Sequence, residues 1–69
     1  MKIRTEPVYI ATGRQGEKVI HPGAYARLIF QDGSYQSGDV EAITGESVTI
    51  SRSDGEYTYR WKELNDIII

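Results

Sequence analysis

The residues with the chemistry for catalysis are few and scattered along this chain. His21 is the single histidine, and the sequence has no cysteine. Nucleophilic catalysis needs a nucleophile beside a base that a third group orients, and His21 stands alone before Pro22 in a turn-like stretch. Zinc sites draw mainly on Cys and His ligands. The sequence therefore predicts no catalytic residues, no metal site and no cofactor.

Asp39 and Glu41 are the one carboxylate pair with a spacing of interest. Residues two apart on a strand lie on the same face, a geometry open to general acid–base chemistry. The same alternation is also typical of the solvated face of an antiparallel sheet. We interpret the pair as surface residues, and we expect a protein that is not an enzyme.

A glycine-rich segment runs from Gly13 to Gly16. A phosphate-binding P-loop needs four residues between its glycines and a Lys-Ser/Thr pair directly after them. Here two residues separate the glycines, and Glu17 precedes Lys18. The KH loop shares the Gly-x-x-Gly form but joins two helices, and no helix is predicted here. A hairpin turn is the better interpretation.

Tyr57, Tyr59 and Trp61 alternate along one segment, with Arg60 among them and Arg52 across an expected hairpin. Aromatic rings with basic neighbours are how small barrels stack unpaired bases, at about 1–3 kcal/mol per base. The three rings could equally form the inward face of a strand and fill a small core. We favour the core interpretation.

The elements that position these residues are short strands. Glycine turns recur at short intervals, as in Asp32-Gly33 and Asp54-Gly55, and no window keeps a helical apolar period for three turns. Asp32-Gly33 predicts a type I′ hairpin turn. The predicted strands cover 8–12, 18–20, 25–31, 34–43 (interrupted by Gly38), 48–53, 56–61 and 66–69, with a single tight turn at 62–65.

The composition limits the classes of partner. The 69 residues carry a net charge of −2, which argues against coating of duplex nucleic acid but leaves room for a small local site. No apolar run approaches the roughly 20 residues of a membrane span. The first seven residues also lack the apolar stretch of a signal peptide. We expect a cytoplasmic protein with no membrane contact.

Two spacings stand out in the second part of the chain. In the first, the alternating segment 26–30 leads to Gly33, and Gly38 and the apolar Val40 follow. In the second, an apolar residue and Arg60 precede Leu64 and Ile67, which are three apart.

On these two motifs, residues 25–69 resemble the Sm-like family of small barrels that assemble into RNA-binding rings. The resemblance implies a small SH3-like barrel of about five strongly bent antiparallel strands. Residues 25–69 would form its core, and residues 1–24 an extension with a short strand or hairpin, within one domain spanning 1–69.

The resemblance carries Arg60 over as an RNA contact, while Trp61 replaces a family glycine. The family's Asp and Asn pocket residues have no counterpart, because the loop is one residue shorter and Thr44 and Ser47 fall nearest to their places. The candidate ligand-binding residues are Arg60, Trp61, Tyr59, Arg52 and Ser47.

The chain ends in Ile67, Ile68 and Ile69. Side chains alternate across a strand, so these three cannot all enter one core, and Ile68 is expected to face away from it. An exposed apolar strand is an aggregation risk unless it is paired or covered. We expect the three isoleucines to form a contact in a homo-oligomer.

Two functions stay open at this point. The first is an oligomeric Sm-like binding module with single-stranded RNA as its ligand. The second is a protein–protein adaptor of the SH3 or Tudor type, which would receive a basic or Pro-rich peptide on Tyr25, Tyr35, Asp39 and Glu41.

Overall fold

Alternating β-branched and aromatic residues, separated by glycine turns, form eight strands and one 3-10 turn. The computed structural model covers residues 1–69, of which 62% lie in strands. The elements are β1 (Lys2–Arg4), β2 (Ile10–Gly13), β3 (Gly16–Val19), β4 (Tyr25–Phe30), β5 (Tyr35–Ile43), β6 (Ser47–Arg52), β7 (Gly55–Arg60), the 3-10 turn Trp61–Glu63 and β8 (Leu64–Ile68).

The strands form two antiparallel sheets. The N-terminal sheet has the order β1-β2-β3, and the larger sheet has the order β7-β6-β5-β4-β8. The all-β prediction is confirmed, but the sheets do not form a closed barrel. The sequence indicated two strands before residue 25, whereas the structure has three. The one missed, β1, is three residues long, too short for a visible alternation.

Ten buried apolar residues form one core between the two sheets. The larger sheet supplies most of them through alternate positions, such as Val48 and Ile50 of β6. Ala11 of β2 and Ile20, just after β3, join the same cluster. Each fully buried aliphatic side chain contributes about 1.5–3 kcal/mol relative to exposure. The N-terminal sheet is therefore fastened to the larger one by a shared core.

The hairpin between β4 and β5 differs from the type I′ turn that was predicted. That turn needs positive φ at both central residues, yet only Gly33 has one, at 91°, and Asp32 does not. The Gly33 amide donates to the Phe30 carbonyl at 3.0 Å. The Asp32 carboxylate accepts from the Ser34 hydroxyl at 2.6 Å and from its amide at 2.9 Å. These bonds to Ser34 lower the pKa of Asp32.

Gly38 does not interrupt β5, which is continuous from Tyr35 to Ile43. The register irregularity lies instead between Val40 and Ala42. Gly38 is required for close approach, because a Cβ added there would lie 2.6 Å from the Ser51 carbonyl oxygen of β6.

No helical segment of the structure has the length and apolar character needed to cross a membrane.

Candidate anion-binding cleft

A cleft of about 610 Å³ opens where the N-terminal sheet meets one end of the larger sheet. Strand β1 supplies Lys2 and Ile3 on one side. The turn between β5 and β6 supplies Glu46, and the end of β7 with the 3-10 turn supplies Arg60, Trp61 and Lys62. Both sheets are needed to form this site.

Positive charge dominates the cleft. Lys2, Arg60 and Lys62 are all exposed there, against the single carboxylate of Glu46. The only ion pair within 4.0 Å in the protein joins Lys18 to Asp66, so none of the three cleft cations is neutralised by a carboxylate. The protein has a net charge of −2, yet this cleft is locally cationic. The walls of a cleft lined mainly by one sign of charge concentrate the electrostatic field inside it.

Trp61 forms the buried wall of the cleft. Its side chain is 3% exposed, and its indole N–H donates to the Thr44 carbonyl at 2.8 Å. Its amide donates to the Glu46 carbonyl at 3.0 Å. These two bonds attach the β5–β6 turn to the 3-10 turn and hold both sides of the cleft in place.

The β5–β6 turn is also hydrogen-bonded within itself. The Thr44 hydroxyl accepts from the Glu46 amide at 3.1 Å and from the Ser47 amide at 2.9 Å. At the other wall, the Glu63 carboxylate accepts from the Arg60 amide at 2.9 Å. Glu63 thereby fixes the backbone from which the Arg60 side chain projects.

The structure brings some of the predicted ligand residues together and separates the others. Arg60 and Trp61 line the cleft, and Ser47 lies opposite Arg60 in the β6–β7 register. Tyr59 packs instead on Phe30, with ring centroids 4.9 Å apart and an interplanar angle of 73°. Arg52 lies at the far end of the β6–β7 hairpin, 5.8 Å from the centre of the Tyr57 ring.

The core interpretation of the aromatic residues is confirmed. Tyr57 and Tyr59 are half-buried and pack against the hydrophobic core, which includes Trp61. The Tyr57 hydroxyl donates to the Asp54 carboxylate at 2.9 Å. This bond, together with the negative charge of Asp54, raises the pKa of Tyr57 above its ordinary value of 10.0.

Two cleft residues, Lys2 and Lys62, escaped the sequence analysis. Lys62 had a signal, because it follows Arg60 by two residues and lies in the predicted tight turn at 62–65. Lys2 had none. It reaches the cleft because β1 pairs with β2, with Lys2 opposite Thr12, and that pairing is not encoded in the residues around Lys2.

A second concave surface, of about 480 Å³, lies near Tyr25, Asp39 and Arg52. Tyr25 is 65% exposed and pairs with Asp39 across β4 and β5. Further along these strands, the Arg27 guanidinium lies 4.8 Å from the centre of the exposed Tyr35 ring. Tyr25, Tyr35 and Asp39 therefore share the outer face of β4 and β5, on which Tyr25 remains open to a ligand.

The three terminal isoleucines differ in environment. Ile67 is fully buried, whereas Ile68 is 39% and Ile69 53% exposed, so the prediction that Ile68 faces away from the core is confirmed. One edge of β8 pairs with β4, where Ile68 lies opposite Arg27. On its other side, the Asn65 carbonyl accepts from the Arg14 amide at 3.1 Å.

A scan against protein-family models finds no match for this chain, and searches of curated proteins and of solved structures find none either.

Proposed function

We propose that this protein is a non-enzymatic binding module that holds single-stranded RNA along its cationic cleft. The observation that carries the proposal is the convergence of Lys2, Arg60 and Lys62, none of which has a carboxylate partner. Phosphate contacts supply most of the non-specific affinity for nucleic acid. His21 and the carboxylates of Asp39 and Glu41 are all exposed, which favours binding over catalysis.

We further propose that the larger sheet is a small, open barrel of the SH3-like or Sm-like kind. Its support is the return of the last strand, β8, to pair with β4, the first strand of that sheet. Inward residues from both β4 and β8 then enter one core. A cytoplasmic location is part of the same proposal, since a chain without cysteine is suited to a reducing compartment.

The test is binding of a fluorescently labelled single-stranded RNA, measured by anisotropy over a series of salt concentrations. For single strands the slope of log K against log salt is about −0.7 per phosphate contacted, so three cations predict a slope of about −2. Arg60→Gln should weaken binding and reduce the slope by about 0.7.

The matched control is Arg52→Gln, which removes the same charge at the far end of the β6–β7 hairpin. It should leave the affinity and the salt slope close to those of the wild type. An equal loss in both variants would contradict a local site. A wild type that binds no RNA even at about 50 mM salt, where such contacts are strong, would overturn the proposal.

We also propose that the protein is a homo-oligomer whose copies meet at the exposed side chains of Ile68 and Ile69. Two contacts from the N-terminal sheet already occupy the outer side of β8, from the Arg14 amide to Asn65 and from the Lys18 ammonium to the Ile67 carbonyl. This arrangement favours a contact between side-chain faces over the addition of a strand at β8.

The alternative function is an adaptor that receives a basic or Pro-rich peptide. The observation that favours it is the exposure of Tyr25 on the same face as Asp39, with Glu41 exposed two residues further along β5. NMR titration with a lysine-rich peptide and a PxxP peptide separates the two functions. An adaptor would show shifts at Tyr25 and Asp39, whereas RNA would shift Lys2 and Arg60.

A further inference from the structure

The cleft contains no aromatic face on which a base could stack. Small domains that bind single strands through their bases use exposed rings as stacking platforms. Trp61 is the only aromatic residue of the cleft lining, and it is 3% exposed with its indole N–H bonded to Thr44. The exposed rings, Tyr25 and Tyr35, lie outside the cleft.

The polar groups of the β5–β6 turn beside the cleft are not free to read the edge of a base. Sequence-specific recognition of single strands requires donors and acceptors for the base edges. In the β5–β6 turn, the carbonyls of Thr44 and Glu46 accept from Trp61. The Thr44 hydroxyl accepts from the Glu46 and Ser47 amides. These groups are already engaged within the protein.

Glu46 is the one anionic side chain in the lining. It is exposed, and no cation lies within ion-pair distance of it. A phosphate chain held in the cleft lies near this carboxylate, which repels it because both are negatively charged. Glu46 therefore opposes binding of the ligand that Lys2, Arg60 and Lys62 attract.

We infer that the cleft recognises the phosphate backbone of a single strand, leaves the bases unread, and is weakened for this ligand by Glu46. The inference rests on the proposed function and narrows it to one ligand class. That class is single-stranded nucleic acid of any base sequence, bound through its phosphates.

The experiment compares oligo-A, oligo-U and oligo-C of equal length with an abasic strand of the same number of phosphates. All four should bind with affinities that agree within about fivefold, because a single stacked base alone contributes about that much or more. A poly-glutamate peptide of matched charge should bind more weakly than the abasic strand, since its carboxylates lack the spacing of a phosphate chain.

Variants test the same inference through a gain of binding, which misfolding cannot produce. Glu46→Gln should raise the affinity for every strand, including the abasic one. Lys2→Gln and Lys62→Gln should each lower the affinity and reduce the magnitude of the salt slope by about 0.7. The control is Glu56→Gln, on the exposed face of β7 outside the cleft lining, which should have a smaller effect than Glu46→Gln.

Loss of binding by the abasic strand, or a preference of more than about tenfold for one base, would overturn this inference while leaving RNA binding intact. Equal binding of poly-glutamate would overturn the assignment to a phosphate backbone. If no strand binds, the proposed function itself fails, and the two failures are thus distinguishable.

Discussion

Lys18 and Asp66 form the ion pair that joins the two sheets, with Lys18 Nζ 3.4 Å from Asp66 Oδ1. Asp66 is 4% exposed, its Oδ1 also accepts from the Ile67 amide at 2.8 Å, and its Oδ2 has no partner. The Lys18 ammonium donates in addition to the Ile67 carbonyl. Because β1 and β3 flank β2 in the N-terminal sheet, this pair helps to hold Lys2 in the cleft.

Removal of Lys18 should therefore destabilise the protein. Lys18→Met leaves the Asp66 carboxylate buried without its cation, at a cost of about 1–3 kcal/mol. Lys62→Met, at an exposed position, should change stability by less than about 0.5 kcal/mol. Chemical denaturation measures both values. A Lys18→Met protein as stable as the wild type would show that the pair does not hold the sheets together.

Gly38 and Gly45 offer a matched test of close packing. A Cβ at Gly38 would lie 2.6 Å from the Ser51 carbonyl oxygen, whereas one at Gly45 would have no atom within 4 Å. Gly38→Ala should cost about 1–3 kcal/mol of unfolding free energy through overpacking.

Gly45→Ala should be neutral or stabilising by up to about 1 kcal/mol, because alanine restricts the unfolded chain. Thermal or urea unfolding of the two variants gives the comparison. If both behave alike, the backbone of β5 does not approach β6 as closely at Gly38 as the structure indicates.

The hydrogen bond from Tyr57 to Asp54 should be visible in an alkaline titration. The folded-state pKa of Tyr57 lies above 10.0, first because its hydroxyl donates to Asp54 and then because the carboxylate disfavours a phenolate. A raised folded-state pKa favours the protonated form. The contribution to stability is thus fully present below pH 10.0 and is lost as pH rises through the folded-state pKa.

NMR of the tyrosine rings follows this titration directly. Asp54→Asn should bring the Tyr57 pKa down toward its ordinary value, since it removes the negative charge. Asp32→Asn, which alters the carboxylate of the β4–β5 turn instead, should leave Tyr57 unchanged. If the pKa of Tyr57 is the same in the Asp54→Asn variant as in the wild type, the hydrogen bond does not form in solution.

The proposed oligomer should depend on Ile68. Ile68→Lys places a charge in the contact and should yield a monomer by light scattering, and it should remove the concentration dependence of thermal unfolding. Val19→Lys is the control, because Val19 is 48% exposed outside the terminal segment. A wild type that is monomeric at about 100 μM, where a contact of even modest affinity would be populated, would contradict the assembly.

Strands β4 to β8 could be predicted because their signals are local. Alternation of side chains within a segment such as 25–30, and glycine at the turns, do not depend on distant residues. The details were less predictable. The Asp32 carboxylate accepts a hydrogen bond from Ser34, and the φ of Asp32 is not positive. The β4–β5 turn is therefore not the type I′ turn that Asp32-Gly33 predicts.

The sequence by itself determined the all-β class and the exposure of Ile68, because each follows from residue types and short-range periodicity. Only the tertiary structure decided the site. Lys2 lines the same cleft as Arg60 and Lys62. It does so because the N-terminal sheet packs on the larger one through Ala11, Ile20 and the Lys18–Asp66 pair. Such contacts join residues far apart in the chain, and no local pattern specifies which distant partner a strand or a charge will find.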